Sequence, residues 1–213
     1  MKHKNKKLII PLPTVIFFVI LLTIYRDYFT VLTLLSALMH ELGHLFCIRL
    51  LDLDIEKITV FPFGADIRLA PSLRSYKTEL SVSLSGPVVN LFICIIFLRV
   101  VFIPEIAVIN LVLAAMNLFP VNGLDGGKAL YSFLVMHAEE STAEKILRIT
   151  SFVSVFCLWV FSTFILLKGD GNPSLFVISC LIFVSVFLNR KADAARKMQA
   201  GSAKTKTDEN ERI

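Results

Sequence analysis

Charge is scarce in this chain. Only 18% of its 213 residues are Asp, Glu, Lys or Arg, whereas 55% are hydrophobic, and mean hydropathy is +0.72. Soluble domains carry about 25% charged residues and about 45–50% apolar ones. The balance therefore points away from a soluble enzyme and towards an integral membrane protein. Cysteine is sparse too. Cys47, Cys94, Cys157 and Cys180 each stand alone in an apolar segment, which leaves neither a disulfide framework nor a cysteine zinc cluster. No small-residue cleavage pattern follows the apolar run "VIFFVILLTIYRDYF". The N-terminus therefore reads as an uncleaved first span rather than a signal peptide. No internal repeat is visible.

The net charge of +5 sits largely in two tails, "MKHKNKK" and "NRKADAARK". Basic tails flanking apolar spans set membrane orientation, so no nucleic-acid partner is expected. A helix needs roughly 20 apolar residues to cross the bilayer. Six segments approach that: 8–25, 29–51, 81–103, 106–119, 149–167 and 174–188. The first holds Pro11 and Pro13, and the fourth and sixth are short. With the N-terminus inside and one crossing per segment, the outside loops keep only Arg26 and Lys168. That asymmetry obeys the positive-inside rule and places both termini in the cytoplasm. Between the second and third spans, "ITVFPFGADIRL" alternates Ala65, Ile67 and Leu69 with Asp66 and Arg68, with Pro62 and Gly64 near a turn. A short β-hairpin at the membrane surface is expected there, an ordinary amphipathic loop being the alternative. Residues 137–148 read as a polar helix start, and 189–213 as a charged, disordered tail.

Into this apolar background the second span inserts "HELGH". His40 and His44, four residues apart, share one face of a helix and can hold one cation. Zinc is the default for imidazole nitrogens. Glu41 projects beside them, able to reach a water without being a ligand. Four His and nine Glu in this chain give roughly 0.003 chance matches to the pattern, so the spacing is specific. A charge at mid-membrane costs about 2.5–3.5 kcal/mol, so three ionisable groups there imply work.

A catalytic zinc site takes three protein ligands and keeps one position open. The best third ligand is Asp125, in "NLFPVNGLDGGKAL". Pro120 and the surrounding glycines break the helix, and irregular backbone at membrane depth must be buried in protein or line a wet cavity. His40 is near the middle of its span, His44 lies about 6 Å further towards the cytoplasm, and Asp125 falls in the same half of the bilayer. In the third span, "SVSLSGPVVNLF", Gly86 permits close approach of a neighbouring helix. Asn90 reads either as an amide in a packing notch or as a further contact.

Together these motifs resemble the site-2 protease family of intramembrane zinc metalloproteases. The matching residues are His40-Glu41-Leu42-Gly43-His44, Ser85-Gly86-Pro87-Val88-Val89-Asn90, and Asn117-Leu118-Phe119-Pro120 with Asp125-Gly126. They span roughly residues 29–136. "HELGHLFCIRLLDLDIEKITVFPFGADIRL" is similar to the branch that processes a sporulation sigma-factor precursor. The resemblance implies an all-α polytopic membrane protein of about six transmembrane helices with a short hairpin after the metal helix. Residues 1–188 would form one transmembrane metalloprotease domain and 189–213 a cytoplasmic tail. It implies zinc held by His40, His44 and Asp125, with Glu41 as general base. Asn117, Asn90 and the hairpin residues Phe63 and Gly64 would hold substrate. It also implies a bacterial cell membrane, a membrane-associated protein substrate and inhibitory membrane-protein partners. No room for a PDZ domain is apparent, and a tail of about 25 residues stands where that branch carries a CBS domain.

The expected activity is hydrolysis of a peptide bond within or beside the membrane. A divalent-metal transporter or channel is the competing reading, since intramembrane His, Glu and Asp also line ion paths. A scaffold that kept its metal without catalysis is a third. Polar groups clustered at one depth favour the protease, as does Glu41, which structural zinc does not need.

Overall fold

The protein is described by a computed structural model covering residues 7–24, 27–61, 64–69, 75–99, 103–168, 176, 177, 179, 180 and 183. In chain order these form β1 (Lys7–Ile9), α1 (Leu12–Ile24), α2 (Tyr28–Leu50), β2 (Ile55–Phe61), β3 (Gly64–Leu69), α3 (Tyr76–Arg99), α4 (Pro104–Leu118), α5 (Asp125–Val135) and α6 (Glu140–Leu167). Residues 1–120 and 124–145 make one compact unit; 121–123 and 146–213 make another.

In the first unit α2, α3, α4 and α5 pack on one another. Their inner faces are mostly polar or small: Ser36, His40, Gly43 and His44 on α2, with Leu32 and Ile48 as larger exceptions; Ser83, Gly86 and Asn90 on α3; Ala107, Asn110 and Ala114 on α4. Large apolar side chains point outward instead, with Phe46 69% and Leu98 61% exposed. A soluble core has the reverse order. Apolar flesh outside and polar groups inside is what lipid permits, because small residues let backbones approach and polar ones find partners across helices.

Three described helices, α2, α3 and α6, are long and apolar enough to cross a membrane. The expectation of six spans is not met among the described residues, for identifiable reasons. The segment 8–25 divides into β1 and the 13-residue α1, because Pro11 and Pro13 lack the N–H that a helix interior needs and instead sit at its start. The fourth segment is the 15-residue α4, about 22 Å long. Most of 174–188 lies outside the described residues, as do Phe63 and the tail 189–213. The fifth segment is longer than expected, because α6 starts at Glu140 and fuses the polar leader to the apolar run.

The chain is mostly helical, and beside its helices it carries one more strand than the expected hairpin. β1, β2 and β3 form a three-stranded sheet in that order. β2 pairs antiparallel with β3 from Ile55↔Leu69 to Phe61↔Gly64. β1 joins the other side of β2 in parallel, Lys7 opposite Lys57. Thr14 at the start of α1 donates its hydroxyl to the Val60 carbonyl at 3.0 Å, tying α1 to the sheet. α2 stops in a Schellman turn. Asp52 takes φ +51°, while Leu53 N–H bonds Ile48 O and Asp52 N–H bonds Arg49 O. Asp tolerates that left-handed position better than most residues, and the turn sends the chain directly into β2.

In the second unit, Gly123 has φ +105°, a backbone conformation only glycine adopts without strain. The neighbouring Asn122 N–H is held by Ser151 Oγ at 2.9 Å.

Candidate metal centre

One stripe of α2 carries Ser36, His40 and His44 inward at helical spacing. α5 begins at Asp125, its first residue, so the carboxylate sits at the positive end of that helix. The three side chains converge. His40 Nε2 lies 2.9 Å from Asp125 Oδ2, His44 Nε2 lies 3.0 Å from the same oxygen, and the two Nε2 atoms are 3.2 Å apart. All three residues are buried.

The chemistry of the donors decides what this triangle is for. His44 Nδ1 lies 2.7 Å from the Val82 carbonyl, which only accepts, so Nδ1 carries the proton and Nε2 presents a lone pair. That lone pair faces a second imidazole nitrogen and a carboxylate oxygen. Acceptors packed face to face repel unless a proton or a metal cation lies among them. Donors around a tetrahedral zinc with bonds of about 2.0–2.1 Å are separated by about 3.3 Å, close to the spacing here. The residues fit the ion.

Neighbouring residues explain the glycines. A Cβ on Gly86 would lie 2.4 Å from His44 Nε2 and 2.8 Å from His40 Cε1, so α3 can meet the imidazoles only through a bare backbone. Gly43 faces Gly86 across the helix pair, its missing Cβ 3.2 Å from the Gly86 Cα. A Cβ on Gly126 would lie 2.2 Å from the Leu118 carbonyl oxygen. Gly126 thus lets the start of α5 lie against the end of α4 and carries Asp125 to the histidines. Pro87, inside α3, loosens the turn whose Val82 carbonyl also accepts from Ser85 Oγ at 2.6 Å.

Other sequence-selected residues are placed as follows. Glu41 is half-buried, adjacent to His40 on α2. Asn117 is half-buried near the end of α4 and donates Nδ2 to Leu113 O at 3.0 Å. Gly64 opens β3. Asn90 is wholly buried, 0% exposed, on the α3 face that carries Gly86. Two features went unread in the sequence. The Val82 carbonyl is backbone and carries no residue signature. Lys128, half exposed, sets Nζ 3.3 Å from Asp125 Oδ1, leaving Oδ2 to the histidines; the i,i+3 spacing on α5 was its only signal.

The profile of peptidase family M50 matches residues 28–105 and 102–161. The chain belongs to peptidase family M50. Among curated M50-like relatives, it is 29% identical over 115 residues to the zinc metalloprotease MJ0392 of Methanocaldococcus jannaschii, covering 49% of this chain and 33% of that protein. It is 30% identical over 118 residues to Rip3 of Mycobacterium tuberculosis, which is named as a zinc metalloprotease, covering 49% of this chain and 30% of Rip3. The chain thus spans about a third of the length of the curated relatives it matches. Its fold is that of the site-2 protease from Methanocaldococcus jannaschii, with TM-score 0.56 and 22% identity over 88% of this chain and 92% of that one. An M50 chain with several long apolar helices is a membrane protein.

Proposed function

We propose that this M50 chain is an intramembrane zinc endopeptidase acting on membrane-associated protein substrates. The observation that carries the reading is the convergence of His40 Nε2, His44 Nε2 and Asp125 Oδ2 within 3.2 Å, with Glu41 next in sequence. His40, His44 and Asp125 are the proposed zinc ligands. Zinc, when held there, acts as a Lewis acid that acidifies water and polarises a peptide carbonyl. Glu41 takes the proton from the attacking water and delivers it to the leaving amine nitrogen. Lys128 restrains Asp125 through its second oxygen, and the Val82 carbonyl holds the His44 ring, so both ligands are oriented before substrate arrives.

A helical substrate hides its carbonyls and must be unwound to be cut. β2 is flanked on both sides, by β1 and by β3; of the two edge strands, the longer β3 is the one to add an extended strand. β3 also contacts α2, the helix of the histidines. In this reading Phe63, Gly64 and Asn117 hold the extended segment. The finer proposals are a sporulation sigma-factor precursor as substrate, inhibitory membrane-protein partners, a bacterial cell membrane, and both termini in the cytoplasm.

The test is co-expression with candidate substrates. Wild type cleaves, whereas Glu41→Gln retains zinc and does not. Cleavage by Glu41→Gln at the wild-type rate would refute the assignment of the base.

A further inference from the structure

Two of the three converging ligands have an evident outer partner. His44 gives its Nδ1 proton to Val82 O at 2.7 Å, and Asp125 meets Lys128 through Oδ1 at 3.3 Å. His40 differs. Its Nδ1 is buried and has no hydrogen-bond partner among the described residues. If Nε2 is to offer a lone pair inward, Nδ1 must carry the proton, and a buried N–H without an acceptor costs about 1–3 kcal/mol.

Other buried polar atoms share that condition at the same level of the bundle. Asn90 is 0% exposed, and among the described residues neither its Oδ1 nor its Nδ2 has a partner. Asn110 is also 0% exposed; its Nδ2 donates to Ser36 Oγ at 2.9 Å, but its Oδ1 is unmatched among the described residues. The connectivity places these groups around His40. Gly86 abuts the His40 ring, and Asn90 is one turn further along the same buried face of α3. Ser36, which holds Asn110, is one turn before His40 on the buried face of α2. α2, α3 and α4 therefore carry one lone N–H and three amide atoms, all sealed from solvent, on buried faces linked to His40 through Gly86 and Ser36.

We propose that Asn90 is the outer-sphere partner of His40: one ordered water accepts from His40 Nδ1–H and donates to Asn90 Oδ1 and to Asn110 Oδ1. The proton balance closes. The water accepts one hydrogen bond from Nδ1–H and donates its two hydrogens to Asn90 Oδ1 and Asn110 Oδ1. Three partners lie within the two to four that a buried water requires. Asn90 is thus a positioning residue. In this proposal Asn90, expected from the sequence to hold substrate, instead fixes the His40 tautomer and ring and raises the basicity of Nε2. The inference rests on the zinc reading above.

The test is zinc affinity, measured by chelator competition on the purified full chain, together with the visible spectrum of the cobalt-substituted protein. Asn90→Leu, near in volume but without an acceptor, is expected to weaken zinc about 10–100-fold and to shift the cobalt bands. Asn90→Asp keeps an acceptor and is expected to bind zinc at least as tightly as wild type. Cys94→Ala, one turn beyond on the same buried face, is expected to lower the melting temperature without changing zinc affinity. Wild-type affinity and spectrum in Asn90→Leu would overturn the proposal. So would loss in Asn90→Asp equal to that in Asn90→Leu, or equal loss in Cys94→Ala. Should Asn90→Leu not fold, Asn90→Asp decides alone: zinc weaker than wild type overturns the proposal, and zinc as tight or tighter with shifted cobalt bands supports it. Failure of wild type itself to hold zinc would sink the zinc reading rather than this refinement of it.

Discussion

α2 and α6 are both long, apolar and lipid-compatible, yet the polar groups they bury differ in kind. α6 buries two hydroxyls, Ser151 and Ser162; Ser151 Oγ accepts from the Asn122 N–H, and Ser162 Oγ donates to Trp159 O and lies 2.9 Å from Ser179 Oγ. Its outer face is aromatic, with Phe152, Phe156 and Phe161 exposed. α2 buries Ser36, His40 and His44, and their partners come from distant sequence: Asn110, Asp125 and Val82. Hydropathy alone does not separate the two helices. What separates them is what they bury: α6 buries hydroxyls, each able to donate and accept, whereas α2 buries two imidazoles whose Nε2 atoms face a carboxylate. Paired hydroxyls are packing; ionisable groups converging from two helices are a site, because their lone pairs are fixed around one point.

That contrast can be broken by substitution, and the effects should fall in a definite order. Glu41→Gln on α2 is expected to cut proteolysis by about 10³-fold, within the range for a lost general base, while zinc stays bound; the readout is cleavage of a co-expressed substrate beside metal analysis. Gly86→Ala pushes a methyl to within 2.4 Å of His44 Nε2. It should abolish stoichiometric zinc and activity in protein that still folds, as seen in metal content and the melting curve. Lys128→Met frees Asp125 Oδ1 but keeps the ligand. A loss of zinc affinity of about 10-fold, the low end for an outer partner, is expected in the chelator assay. Ser162→Ala on α6 should be the mildest, changing stability by about 1 kcal/mol and leaving zinc affinity and cleavage untouched. If Ser162→Ala disturbed zinc as much as Lys128→Met, the distinction between the helices would fail.

The histidine pair was legible because its chemistry is written in side chains at helical spacing, and Asp125 because helix-breaking residues surround the one carboxylate at a matching depth. The family resemblance rested on the same residues. What stayed hidden was of another kind. Val82 serves through its carbonyl, which every residue owns. β1 is three residues long and exists only because β2, nearly fifty residues later, offers a parallel edge; its apolar side chains read equally well as the head of a span. The helix start read in "HAEESTAEKILR" runs unbroken into the apolar segment as α6, because its good helix formers continue the apolar helix towards its N-terminus. Gly126 looked like a loop glycine, while its use is to bring α5 against the Leu118 carbonyl.

The central claim is that one divalent cation sits where α2 and α5 meet. It is tested most directly by the zinc content of purified wild-type protein beside Asp125→Ala and His44→Ala. The account predicts one zinc per wild-type chain and far less than one in either variant, with all three proteins folded. Wild type without stoichiometric zinc, or variants that keep it, would contradict the account.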